Sequence, residues 1–283
     1  YLLLPDHDTF YETLVSRSYP LVSREAQQQL RQAKIGIAGQ GTVGGNLVVA
    51  MARYGFENIR TSDPDTFEVT NLNRQPCNLF TVGNEKVREV AYQAAAINPF
   101  MQIEQFEPVS AQNLESFVQG CDVVVSALDN TSLIVGLNIE ARKQKVPVVL
   151  GTDVGSGILL DVFDYRQTND LMHGRVVESD INLPAIQLIF KFLGIDNFPV
   201  EMLDALQMRM RGELDYFAQT IVSANMCSSA LIKAVSFLVT GQAMRKSTAV
   251  DLLSVLLTEE DESLRQQKRT ETIAALKQAF GLP

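Results

Sequence analysis

From Lys34 onward the sequence predicts an α/β fold: a doubly wound, mostly parallel sheet with helices on both faces, extended by antiparallel strands and C-terminal helices. Three observations lead to this expectation. Short apolar runs alternate with longer stretches of helical character, which is the pattern of βαβ units. The runs are apolar on both faces, as strands covered from both sides must be. A glycine-spaced turn, GQGTVG, follows the first run and opens the first helix, where a tight strand-to-helix connection needs residues without a Cβ.

Taken in order, Ser23 is placed to cap a helix over REAQQQLRQA, whose apolar face is narrow. The strands are KIGIAG (Lys34 to Gly39), NIRTSD (Asn58 to Asp63), MQIEQF (Met101 to Phe106), DVVVSA (Asp122 to Ala127) and PVVL (Pro147 to Leu150). Helices are expected near 43–55, 84–96, 111–118 and 131–144. After Leu150, GTDVGSG reads as a loop and ILLDVFDY as one or two further strands. Residues 166–217 are polar and irregular, rich in Asp, Asn, Pro and Met, and read as a functional stretch of mobile loops. The run from Ala218 to Gly241 is the most apolar helix, with a terminal glycine suited to a left-handed cap. EEDESLRQQKRTETIAALKQAF is a polar helical tail for packing on a surface or a partner. The expected units are an N-terminal arm (1–22), a nucleotide-binding half (23–165), a second half with the buried helix (166–245) and a helical tail (246–283).

With 283 residues, 46% of them hydrophobic, the chain can bury a core without disulfides or a structural metal. Its net charge of -9 repels a phosphate backbone, so nucleic acid is not an expected partner. Cys77, Cys121 and Cys227 are too scattered for a disulfide framework or a CxxC metal pair, which suits a reducing, cytoplasmic compartment. No apolar run reaches the roughly 18 residues that span a bilayer, and YLLLPDHD has no basic region before its apolar stretch, so neither a membrane span nor a targeting segment is expected. The chain begins at Tyr1 rather than Met, as a piece of a longer chain would. His7 and His173 are the only histidines, which removes histidine triads and multi-histidine metal sites; His173 reads as a loop or surface residue.

The chemistry starts at Gly39, Gly41 and Gly44, spaced GxGxxG, with the helix beginning near Thr42 turning its free N–H groups toward an anion. A glycine turn without a ligand would look the same. Asp63 ends the second strand 24 positions after Gly39, near the spacing of a carboxylate that binds ribose hydroxyls. Beyond it, DPDTFEVTNLNRQ supplies Asp65, Asn71, Arg74 and Gln75, and VGNEK supplies Lys86. Either cation alone reads as a solvated surface charge. Together they suit a triphosphate, with about four charges, better than a dinucleotide pyrophosphate with about two.

GQGTVG, DPDTFEVTNLNRQ, VGNEK, INP and SALDN, in that order, resemble the ThiF/MoeB/HesA family, adenylating enzymes of the ubiquitin-activating superfamily. The resemblance covers roughly residues 15 to 165, with an echo in the helix 218–240. It implies a Rossmann-like fold and ATP-dependent adenylation of a carboxylate, usually the C-terminus of a ubiquitin-like or sulfur-carrier protein or a peptide, with release of pyrophosphate. It further implies that the glycine loop with Thr42 and Asp65 binds nucleotide, that Asp63 holds the ribose, and that Asn71, Arg74, Gln75 and Lys86 surround the phosphates. Arg74 and Lys86 would neutralise developing charge. Asp129, in LDN, matches the magnesium carboxylate; its alternative is a helix cap with Asn130. Arg17 matches in offset the arginine that family dimers insert into the partner's ATP site, although Val15 stands where a tyrosine usually precedes it, and a surface arginine fits as well. A homodimer follows if the match holds.

The departures shape the expectation too. The CxxC pairs that hold zinc in many relatives are missing, so ATP and Mg²⁺ are expected and zinc is not. Residues 151–217 contain no cysteine for a thioester, Cys227 reads as a buried small hydrophobe, and Cys77 reads as structural. LQMRMRGELD (Leu206 to Asp215) offers contacts for the extended segment that pairs with an acceptor's chain end. RSYPLVSREAQQQL is similar to bacterial ThiF-like proteins outside thiamine and molybdopterin operons. Rival readings are a tRNA threonylcarbamoyladenosine dehydratase-like enzyme, which TNDL (Thr168 to Leu171) resembles, a peptide-modifying enzyme, and a catalytically silent scaffold of the same fold. A dehydrogenase is the least supported, since nothing suggests a hydride-transfer base.

Overall fold

The computed structural model describes residues 6–280. Helices α1 (His7–Val15) and α2 (Arg24–Gln32) precede β1 (Lys34–Ala38), and α3 (Gly44–Tyr54) leads to β2 (Asn58–Ser62). Then come α4 (Lys86–Ile97), β3 (Gln102–Gln105), α5 (Leu114–Val118), β4 (Val123–Ser126) and α6 (Thr131–Gln144). The hairpin β5 (Val148–Val154) and β6 (Gly157–Phe163) is followed by α7 (Ala185–Leu193), α8 (Val200–Met210), α9 (Ile221–Thr240), β7 (Ser247–Asp251), α10 (Leu253–Leu256) and α11 (Glu259–Phe280).

The seven strands form one sheet in the order β3-β2-β1-β4-β5-β6-β7. The first five are parallel; β6 pairs antiparallel with β5, and β7 antiparallel with β6. Alternation along the strands divides the interior. Val123 and Val125 of β4 join Ile35 and Ile37 against α3, α4 and α9, while Val124 faces the cluster built by α5, α6, α7 and α8. Each face is thus apolar, which is why the central strands read as continuous hydrophobic runs. Ser23 caps α2 by accepting from Ala26 N at 3.1 Å, as its sequence position predicts.

Three stretches differ from the sequence expectation. GTDV is strand, not loop: β5 pairs with β6 along its full length, from Val148 opposite Phe163 to Val154 opposite Gly157. Gly151 is there for packing, since a Cβ on it would come within 2.8 Å of Cys227 Sγ on α9. Residues 166–217 are not a run of loops. Pro184 and Pro199 stand immediately before α7 and α8, where a fixed φ starts a helix rather than breaking one. As a result Leu206–Met210 is helical, and LQMRMRGELD is not an extended pairing segment. β7 was hidden in sequence because it is short, mostly polar and largely exposed.

α9 has the length and hydropathy of a bilayer-crossing helix, but more than half of its most apolar window is buried. Leu231, Val235 and Cys227 pack on β5 and β6. Its positive-φ Gly241 closes the C-terminus as expected.

The C-terminal helix is anchored by charge. Arg265 is 9% exposed and donates from Nε to Glu201 of α8 at 2.6 Å, from Nη2 to Asp251 of β7 at 2.6 Å, and from Nη1 to Glu262 at 3.2 Å. Removing the guanidinium leaves these carboxylates crowded and uncompensated. Arg265→Ala should lower the unfolding free energy by about 3 kcal/mol in a denaturant titration; a loss below about 1 kcal/mol would show that α11 does not depend on this cluster.

Candidate active site

The carboxyl ends of β1 and β4 frame the site, at the point where the sheet's winding reverses. Gly39 follows β1 with φ +97°, and a Cβ on it would sit 2.2 Å from Ala127 O. A Cβ on Gly44 would sit 1.8 Å from Gly39 O. Both glycines therefore permit contacts that no side chain allows. Gly41 differs: its nearest neighbour is Gln75 Nε2 at 4.0 Å, so the loop stays open on that side. Thr42 and the first turn of α3 close the cradle, with their amides at the helix N-terminus.

Asp63 lies just past β2 and braces this loop. Its Oδ2 accepts from Gln40 N at 2.5 Å and its Oδ1 from Asp65 N at 2.8 Å. Burial raises the Asp63 carboxyl above its ordinary range, against the pull of those two amides and Lys86. Lys86 opens α4, is only 7% exposed, and pairs with Asp65 Oδ2 at 3.0 Å. Asp65, largely exposed, therefore serves here as the counter-ion of a buried ammonium.

The NLNRQ segment supplies the second cation. Asn71 folds the turn by accepting from Glu68 N at 3.0 Å. Arg74 Nε donates to Thr42 Oγ1 and to Gln219 Oε1, each at 2.9 Å, and Nη1 donates to Thr70 O and Asn73 Oδ1, each at 2.8 Å. Among the described residues Nη2 has no partner. Arg74 O accepts from Asn46 Nδ2 at 2.8 Å, which ties the segment to α3.

Asp129 follows β4. Asn130, not Asp129, caps α6 by accepting from Leu133 N at 3.0 Å, so the Asp129 carboxylate makes no hydrogen bond among the described residues. Desolvation raises it, with Lys86 and Arg74 opposing and Asp63 and Asp65 adding to the effect. An open carboxylate with cations across from it suits a hard metal ion completed by phosphates and waters. Buried polar atoms without partners gather at the same edge: Gln40 Oε1, Gln75 Oε1, Ser126 Oγ and Asp153 Oδ2. Such atoms are costly unless something else satisfies them.

Of the residues expected from sequence, the fold brings Gly39, Gly41, Thr42, Gly44, Asp63, Asp65, Asn71, Arg74, Gln75, Lys86 and Asp129 to this edge. Arg17 stands exposed in a 3-10 turn (Ser16–Ser18) and makes no hydrogen bond or ion pair among the described residues. Sequence reading missed Asp153 and Gln219. Asp153 ends the half of β5 that reads as a turn, and Gln219 belongs to no motif.

The thiols lie outside this chemistry. Burial pushes Cys121 up to about 11 and raises both Cys227 and the half-buried Cys77. In the native protein near neutral pH, a thiol reagent should find one slowly reacting cysteine, lost in Cys77→Ser, and three after denaturation. Rapid labelling of Cys121 or Cys227 would contradict the burial assigned to them.

The model of the ThiF family matches residues 15–176. A molybdopterin-synthase adenylyltransferase of Salmonella typhimurium is 31% identical over 148 residues, 50% of this chain and 58% of that enzyme. A tRNA threonylcarbamoyladenosine dehydratase of Bacillus subtilis is 25% identical over 236 residues, 80% of this chain and 91% of that one. The structure of the Escherichia coli tRNA N6-threonylcarbamoyladenosine dehydratase in complex with ATP superposes with a TM-score of 0.51 at 26% identity, covering 57% of this chain and 68% of that chain. Other curated relatives are matched over a limited part of their length: 24% of the Mycobacterium tuberculosis protein MT1398 and 51% of a Haemophilus influenzae tRNA threonylcarbamoyladenosine dehydratase.

Proposed function

The chain belongs to the ThiF family, and on that premise we propose that it is a cytoplasmic, ATP-dependent adenylyltransferase that activates a carboxylate as an acyl-adenylate and releases pyrophosphate. The acceptor in this reading is the C-terminus of a ubiquitin-like or sulfur-carrier protein or a peptide. The observation that carries it is the convergence of Arg74, with Nη2 free, the buried Lys86 and the open Asp129 carboxylate around one glycine cradle. A dinucleotide site needs the cradle and the ribose carboxylate; the two cations and the second carboxylate suit a triphosphate with its metal.

In this mechanism Asp63 exchanges its backbone donors for ribose hydroxyls, while the amides of Gly41 and Thr42 take the phosphates at the start of α3. Lys86 exchanges Asp65 for phosphate oxygen. An acceptor carboxylate oxygen attacks the α-phosphorus, the bond to the β-phosphate oxygen breaks, and pyrophosphate carries the charge away. Arg74 Nη2 and Lys86 are placed for the charge that grows on the phosphate oxygens. Asp129 would hold Mg²⁺, which supplies Lewis-acid polarisation of the phosphates. Residues 166–245 are assigned to the acceptor, and Arg17, exposed and without a hydrogen bond or ion pair among the described residues, to the partner's site in a homodimer.

A second reading is favoured by one observation: the Bacillus subtilis relative is matched over 91% of its length and is a tRNA threonylcarbamoyladenosine dehydratase. Activation of a carboxylate would be the shared step. The net charge of -9 speaks against a tRNA acceptor, and a chain that keeps Arg74, Lys86 and Asp129 does not read as a silent scaffold.

Calorimetric titration with Mg·ATP and, separately, NAD tests the proposal. Micromolar Mg·ATP binding that weakens at least tenfold in Arg74→Ala, with no comparable NAD binding, is the expected result; the tenfold loss corresponds to about 1.4 kcal/mol of lost charge-assisted bonding. Preference for NAD, or Mg·ATP binding indifferent to Arg74, would overturn it.

A further inference from the structure

The irregular segment between α8 and α9 is exposed except at Leu214 and Gln219, which are half-buried. Gln219 comes from the part of the chain that follows the matched family segment, yet it reaches the phosphate arginine. Its Oε1 accepts from Arg74 Nε at 2.9 Å and from Thr42 Oγ1 at 3.3 Å, and its Nε2 donates to Asp153 Oδ1 at 3.2 Å. Asn73 Nδ2 donates to the Gln219 carbonyl at 3.5 Å.

These partners allow the amide one orientation. A guanidinium only donates and a carboxylate only accepts, so a flipped amide would set N–H against N–H and oxygen against oxygen. Asp153 is 9% exposed and fixed on the rigid hairpin β5–β6, which makes it a firm anchor. Gln219 and Thr42 thus hold Nε of Arg74, Thr70 and Asn73 hold Nη1, and Nη2 has no partner among the described residues.

We propose that Gln219 is a positioning residue for Arg74, locked by Asp153, through which the acceptor half sets the direction of the phosphate-binding guanidinium. The inference rests on the ATP reading above. A cation pre-oriented for the triphosphate loses no rotamer freedom when the ligand arrives, whereas a free arginine must be ordered at that moment. The tie also couples the segment before α9 to the phosphates, so an acceptor that contacts this segment acts on the same guanidinium.

A double-mutant cycle in Mg·ATP affinity isolates this role from a structural one. Gln219→Ala should weaken Mg·ATP binding by about tenfold, from the loss of one charge-assisted hydrogen bond and its ordering. In an Arg74→Ala background the same change should have no effect. Asp153→Ala should reproduce the loss, and Asp153→Asn, which keeps an acceptor oxygen for Gln219, should restore near-normal affinity. Equal weakening by Gln219→Ala in both backgrounds, or no weakening in the wild-type background, overturns the inference while leaving the ATP reading standing. Indifference to Arg74→Ala itself overturns the ATP reading and this inference with it. Unchanged thermal unfolding of each variant excludes loss of fold as the cause of any weakening.

Discussion

The arrangement of the site depends on a close approach that only two missing side chains allow. Gly44 touches Gly39 O, and Gly39 lies against Ala127 O, so the turn after β1, the start of α3 and the end of β4 meet in one small volume. Widening any of these contacts by a methyl group would move the helix N-terminus away from the loop it serves. The same contact sets Asp129, two residues past Ala127, across from Asp63 and Lys86. Steric exclusion therefore comes first, and the electrostatics of the site are built on it.

Those electrostatics share one design. Three of the charged groups rest on partners of their own. Asp63 is satisfied by backbone amides, Lys86 by an exposed aspartate, and Arg74 by neutral oxygens that leave one nitrogen free. Buried cations without such partners would be costly, and cations with buried carboxylate partners would be hard to recruit. Asp63, Asp129 and Asp153 are all raised by desolvation, with Lys86 or Arg74 opposing the rise at each. Nucleotide with its metal ion is the class of ligand that fits such a balance.

Much of this was legible in the amino-acid sequence, for physical reasons that also explain what was not. The runs that became β1 and β4 are covered on both faces, so they are largely apolar and stand out. Asp63 follows a strand whose end could be placed and is fixed by spacing, whereas the roles of Arg74, Lys86 and Asp129 came from the family motifs that hold them. The second half of β5 was missed because Gly151 and Asp153 read as turn formers, although the glycine answers to α9 and the aspartate to the site. α7 and α8 were missed because their leading prolines look like breakers. Gln219 meets Arg74 across 145 positions and Asp153 across 66, and no local pattern reports contacts at that range.

The central claim is that one cradle binds ATP through Arg74, Lys86 and Asp129 for attack at the α-phosphate. A crystal structure of the protein with Mg·ATP tests it most directly. The account predicts ribose hydroxyls on Asp63, phosphate oxygens on Arg74 Nη2 and Lys86 Nζ, and the metal on Asp129. A nucleotide bound elsewhere, or one in this cradle whose triphosphate avoids Arg74 and Asp129, would contradict it.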